Sequence, residues 1–272
     1  MKKFLAVMTA LGLAGPAMGA DLGLMPAYKA SSSMGYDWSG IYAGGHVGGG
    51  WDRNDIADPG LGVVGTLVNV PVVQTVTGSG FLGGAQVGSN YQFGKFVIGA
   101  EADWSWSHIN GANTATFGPS FLPPGLLTLN RTLLANTDWV GTTTTRLGIA
   151  NGTLLFYGKA GVAYDHTNYG DLWTATVGGQ RGGTATLFTG AGASTRIGWT
   201  VGSGVEWAVM GPLSVKLEYD FMDFGNKAET LTGTILPGAR NGGLAANFGA
   251  LNSQTVSEVK FGVNYKFMPN IW

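Results

Sequence analysis

The sequence predicts an all-β fold, an eight-stranded antiparallel up-and-down transmembrane β-barrel. Three observations carry that expectation. Apolar and polar residues alternate with a period of two over segments of about ten residues, the length a tilted membrane strand needs. The twelve Asp, Glu, Lys and Arg residues in those segments, six acidic and six basic, all fall on the face opposite the aromatic and aliphatic residues. Aromatic residues stand at both ends of the apolar faces, where the headgroup layers of a bilayer favour amphipathic rings. A soluble sandwich would alternate too, but it has no need of two aromatic belts.

Composition agrees. Of 272 residues 47 are glycine, only 11% are charged, and no cysteine is present. Mean hydropathy is +0.15, too low for a helical membrane protein. Nine Trp, nine Tyr and thirteen Phe are too much aromatic surface for a solvated, disordered chain. A net charge of −1 offers no basic surface to nucleic acid, and the missing cysteines remove disulfides and thiolate zinc sites.

Along the chain, residues 1–19 read as a signal peptide: Lys2 and Lys3 precede the apolar stretch Phe4–Gly15, with Ala17 and Gly19 at the cleavage site. Residues 20–37 form a flexible periplasmic lead-in, 38–267 the barrel, and 268–272 a C-terminal extension. The strands are expected at 41–51, 81–93, 96–106, 139–150, 153–164, 195–207, 213–221 and 258–267. One belt consists of Trp51, Trp104, Trp106, Trp139, Tyr164 and Phe221; the other contains Tyr91, Phe93, Phe96, Trp207, Tyr265 and Phe267. Gly94-Lys95, Asn151-Gly152 and Val209–Pro212 are tight turns, whereas 52–80, 107–138, 165–194 and 222–254 are long connections. Short periplasmic turns and long external loops are the outer-membrane pattern, so both chain ends should lie on the periplasmic side. Strand glycines such as Gly44, Gly84 and Gly202 suit a narrow, sharply curved barrel.

The segments WSGIYAGGHVGGGW, GFLGGAQVGSNYQFGKFVIGAEADWSW, TRLGIA, TRIGWTVGSGVEW, VKLEYDFMDFG and VKFGVNYKF resemble the small porin-like outer-membrane β-barrel family of alphaproteobacteria, within the wider group of OmpA-like and opacity-like barrels. The resemblance covers residues 38–267. It implies a Gram-negative outer-membrane protein, monomeric or loosely associated, with envelope-integrity and surface-contact roles; some relatives are reported as haem binders. Such barrels usually end on the aromatic of the last strand, here Phe267, whereas this chain continues to Trp272. The assembly signal is then internal, or Trp272 replaces it.

An eight-stranded barrel has an interior that side chains just fill. Its inward ions are Glu101, Asp103, Arg146, Lys159, Arg196, Glu206, Lys216, Glu218, Asp220, Glu258 and Lys260, with Lys266 near the periplasmic end. Counting from the turns pairs Glu101 with Arg146 and Glu206 with Lys216, the remaining ions extending the network. The competing reading is a narrow water-filled lumen lined by replaceable charges.

His46 faces the lumen, while His108 and His166 lie at the outer rim on strands three and five, about 10 Å apart at usual interstrand spacing. They are the candidates for haem, although rim histidines titrating freely explain them as well, and no cofactor or metal site is expected. Ser107-His108 and Asp165-His166 are not catalytic pairs, because neighbouring strand residues point to opposite faces, and no enzymatic activity is expected. The long connections, rich in Thr, Val and Leu, read as hairpins rising above the membrane. The expected role is structural support of the envelope, with a narrow porin second and a surface adhesin or haem-binding protein third. Expected partners are outer-membrane lipid and lipopolysaccharide, the barrel-assembly machinery, and other barrels or host surfaces through the loops.

Overall fold

The computed structural model describes residues 36–57, 73–118, 126–178, 182–235 and 243–267. The expected signal peptide, most of the lead-in and the extension 268–272 lie outside the described residues, as does the middle of the first long connection. Eight strands follow one another: β1 (Gly40–Ala57), β2 (Val73–Phe93), β3 (Phe96–Phe117), β4 (Leu127–Asn151), β5 (Leu154–Val177), β6 (Gly183–Met210), β7 (Leu213–Ile235) and β8 (Leu244–Phe267). Each pairs antiparallel with the next, and β8 closes onto β1 from Ile41↔Phe267 to Ala57↔Leu251. The expected architecture is therefore the observed one.

The tight turns place glycine in the left-handed region: Gly94 (φ +62°), Gly152 (φ +64°) and Gly211 (φ +52°). An L side chain is disfavoured there. Two strand glycines are needed for contact rather than conformation. A Cβ on Gly202 would run into the Asp220 carboxylate, and one on Gly84 would strike the backbone of Trp104 and Ser105.

Strand length departs from expectation. The strands have 18 to 28 residues instead of about ten, and they extend well beyond the belt at the long-loop end. Alternation in the connections supplies the reason. Thr137, Tyr169 and Leu231 turn inward and are buried, while Leu134, Leu172 and Leu251 turn outward. The connections thus continue the barrel as an upper wall with its own packed interior.

Between the belts the outward surface is apolar, with Ile41, Val47, Phe81, Val87, Leu147, Phe156, Val201, Leu217 and Phe261 all exposed. That is the surface hydrocarbon requires. At the long-loop end Trp104 stacks on Trp139 with ring centroids 4.1 Å apart, and Trp199 packs on Phe221 at 5.6 Å. At the turn end Phe93 stacks on Phe96 at 5.8 Å, and Tyr265 meets Phe267 at 5.2 Å. Trp199 is a belt residue that parity alone did not distinguish from mid-strand. The register settles its height, because Val201 faces Phe221.

Candidate functional site

The barrel interior is layered. At the mouth ringed by the tight turns Trp38 enters the barrel and packs with Val97, Ala150, Leu155, Tyr157 and Ala208. The residues before β1 therefore cap the opening, although the sequence placed Tyr36 and Asp37 in a flexible lead-in. Trp38 N–H donates to Gln92 Oε1 (2.7 Å), Ser39 Oγ accepts from Gln92 N–H (3.1 Å), and Lys266 reaches the Asp37 carbonyl while its ammonium lies 4.2 Å from the Tyr36 ring centre. Burial and the negative charges of Glu206 and Asp37 push the Tyr36 hydroxyl up from its ordinary range.

Above this cap lies the ionic layer. Arg146 is sandwiched between Tyr42 and Tyr157, 5.1 and 4.5 Å from their ring centres, and bonds Glu206 (2.8 Å) and Glu101 (3.4 Å). Tyr42 donates to Glu101 (2.8 Å) and Tyr157 to Glu218 (2.6 Å). Lys216 reaches Glu101 (3.0 Å) and Glu218 (3.3 Å). Lys159 Nζ lies 2.8 Å from Glu218, 3.1 Å from Asp220, 3.5 Å from Asp103 and 3.6 Å from Glu101. Lys260 likewise meets Asp220 (2.7 Å), Asp103 (3.2 Å), Glu218 (3.4 Å) and Glu258 (3.6 Å). His46 completes the layer, with its ring nitrogens on Gln86 Oε1 (2.5 Å) and Ser105 Oγ (2.8 Å).

Parity made these charges legible; their pairing was only partly so. Glu101 and Arg146 do meet. Glu206 and Lys216 face each other across β6 and β7 but do not pair. Lys216 instead reaches across the barrel to Glu101, and Glu206 is taken by Arg146, Ser214 Oγ (2.5 Å) and Asn264 Nδ2 (2.8 Å). Arg196 does not join this layer: it bonds Glu229 (3.1 Å) and the Asn252 carbonyl (3.2 Å) higher up. Tyr42 and Tyr157 were not singled out in the sequence, although their parity places them on the inward face. Glu101, Asp103 and Glu218 bring carboxylate oxygens within 4.8 Å of one another, the geometry of a cation site, yet Lys159 Nζ already contacts all three.

An apolar layer of Ile109, Val140, Ala163, Met222, Phe224 and Val256 closes the ionic layer from above. A polar ring follows. Thr137 Oγ1 contacts Asp52 (3.4 Å) and Thr167 (2.9 Å), Thr167 donates to Asp165 (2.8 Å), and Gln254 links Thr167 (3.1 Å) to Tyr169 (3.2 Å). A second apolar layer contains Ile56, Val76, Leu133 and Leu231, and above it Arg131 bonds Asp171 (2.7 Å) beside the Trp173 ring. These inward apolar layers were missed because the alternation assigned apolar residues to the lipid face.

The two rim histidines lie on the outside of the barrel wall. His166 stacks against Trp139 on the outer surface, ring centroids 6.0 Å apart, and bonds Thr195 Oγ1 (2.9 Å). His108 is exposed at a bulge between Trp106 and Ile109. Ser107, its neighbour, is buried and accepts from the Ile109 N–H (3.2 Å).

A closed barrel with an apolar outer band between two aromatic belts and an ionic interior defines a small outer-membrane β-barrel protein. The chain is 30% identical over 248 residues to the 31 kDa outer-membrane immunogenic protein of Brucella melitensis, covering 85% of each, and it belongs to that protein's family. It is also 27% identical over 148 residues to a 22 kDa outer membrane protein of Rhizobium leguminosarum, covering 54% of each. No family model matches the chain. Among solved structures, OprG of Pseudomonas aeruginosa aligns with 86% of this chain and 99% of its own, at 12% identity and a TM-score of 0.43. The relatives' names place the protein in the outer membrane.

Proposed function

We propose that the protein is a structural outer-membrane barrel that supports envelope integrity and carries a rigid extracellular wall, with no continuous conducting path. The observation that carries this is the layered interior, in which the Trp38 cap, the ionic layer and the Ile109 layer follow one another with fully buried side chains. A narrow porin needs a wet path, and side chains held by several mutual bonds leave none at these heights. The same packing supports a non-enzymatic reading: His166 is bonded to Thr195, and His46 lies within the sealed layer. Lipopolysaccharide is the fitting partner for the upper belt, where Trp199 and Trp106 are exposed at the outer leaflet.

Planar-bilayer recordings of the purified barrel test the closed interior, with near-silence expected; a large, steady unitary conductance overturns it. A strain lacking the protein should become sensitive to detergent and bile, and unchanged sensitivity removes the envelope role. Surface contact is a second reading, favoured by the exposed Leu134 and Leu172 on the extracellular wall. Loss of cell binding on shortening those hairpins would establish it.

A further inference from the structure

The ionic layer does not balance. Six carboxylates (Glu101, Asp103, Glu206, Glu218, Asp220 and Glu258) share four cationic side chains, Arg146, Lys159, Lys216 and Lys260, and all ten are buried. Apolar layers close the space below and above. Two uncompensated negative charges in such surroundings are far too costly to leave bare.

The shortfall is local. Glu101, Asp103, Glu206 and Glu218 each accept hydrogen bonds from at least two side chains. Both oxygens of Glu258 and Oδ1 of Asp220 are buried without a hydrogen-bond partner, and Asp220 Oδ2 has only its ion contacts with Lys260 (2.7 Å) and Lys159 (3.1 Å). The two residues are direct cross-strand neighbours on β7 and β8, so their carboxylates share one patch of the wall. Glu258 has only Lys260, at 3.6 Å, and that ammonium already serves Asp220, Asp103 and Glu218. Across from Glu258, β1 offers no cation: its partner is Gly50, and the neighbouring inward positions are Gly48 and the acidic Asp52. The charged groups facing Glu258 are thus Lys260, Asp220, Asp103 from β3 and Lys159 from β5.

We infer that Asp220 and Glu258 form a binding site for one small monovalent cation, either a proton shared between the carboxylates or an alkali-metal ion, taken up as the barrel closes. One bound positive charge halves the excess and supplies a partner where two cross-strand neighbours keep buried carboxylate oxygens without a hydrogen bond. Like charges on adjacent inward positions are the arrangement that draws in such a charge.

Two measurements on the refolded, full-length barrel test this, and each works on the wild type. The first is infrared spectroscopy at neutral pH. A proton in the site gives a carboxylic-acid carbonyl stretch that Glu258→Gln or Asp220→Asn removes. The second is the unfolding equilibrium in sodium, potassium or choline chloride at constant ionic strength. An alkali ion in the site raises the folded-to-unfolded ratio up to tenfold per tenfold rise in its concentration, and Glu258→Gln abolishes that dependence. Either result supports the site and identifies its occupant. Equal stability in all three salts, together with either no carboxylic-acid band or a band that both substitutions leave intact, overturns it.

Discussion

Replacing Arg146 by methionine tests whether the interior is a mutually dependent ion network or a row of independent charges. The guanidinium is buried between two tyrosine rings, 2.8 Å from Glu206 and 3.4 Å from Glu101. With an effective dielectric constant of about 20, Coulomb attraction at these separations is about 6 and about 5 kcal/mol. Desolvation of the arginine offsets much of that. The cost of breaking such a pair is then set by the carboxylates left behind, about 3–5 kcal/mol. Methionine roughly fills the volume, so the loss reports charge rather than a cavity. Urea unfolding of the lipid-refolded barrel, followed by tryptophan fluorescence, measures it. Arg146→Met combined with Glu206→Gln should recover about 2 kcal/mol, because one orphaned carboxylate disappears with its partner. A loss below about 1 kcal/mol in the single variant, or strict additivity in the double one, refutes the network and favours a wet lumen in which water solvates each charge.

Trp38→Ala should leave conductance near zero, since the ionic and Ile109 layers remain above the cap; a lasting rise in unitary current would show that Trp38 alone seals the pore. Gly202→Ala places a methyl against the Asp220 carboxylate and the Tyr219 carbonyl, so the yield of the heat-modifiable, folded form should fall several-fold, as gel mobility will show. Arg131→Met breaks the buried contact with Asp171 in the extracellular wall and should cost about 3–5 kcal/mol there. Protease should then cut the outer hairpins of whole cells faster while the membrane-embedded core stays detergent-resistant.

What the sequence discloses follows from the period of a strand. Alternation over Leu213–Phe221 separates Lys216, Glu218 and Asp220 from the lipid face without knowledge of any other strand, which is why the barrel and its inward charges could be read directly. Pairing depends on how far strands are staggered and how far long side chains reach. Lys216 bypasses its neighbour Glu206 for Glu101, 115 positions earlier in the chain. No local pattern records such a choice. The inward apolar layers escaped for a related reason: Ile109 keeps the inward parity of Glu101, Asp103 and Ser105, but the reading took apolar residues as lipid-facing, and parity itself slips on β4, where Thr137 and Val140 both turn inward around Asp138. The upper wall was legible as hairpins from its Thr, Val and Leu alternation, but its height was not.

Charges are a costly way to fill a narrow barrel, and the register problem explains why they are useful here. A strand slipped by one residue turns its ions into hydrocarbon and is rejected at once. A slip of two residues keeps every side chain on its correct face, so the lipid cannot detect it. With an all-apolar interior, such a slip would exchange one aliphatic residue for another at little cost. In the observed register Lys159 and Lys260 each meet four carboxylates within 3.6 Å. Moving either strand by two residues shifts its ammonium by about 7 Å and removes a cation from all four of its carboxylates at once. The ionic layer therefore discriminates among registers that share the same inside and outside, the one distinction that the bilayer leaves open. Specificity of closure, more than net stability, is what the buried ions contribute.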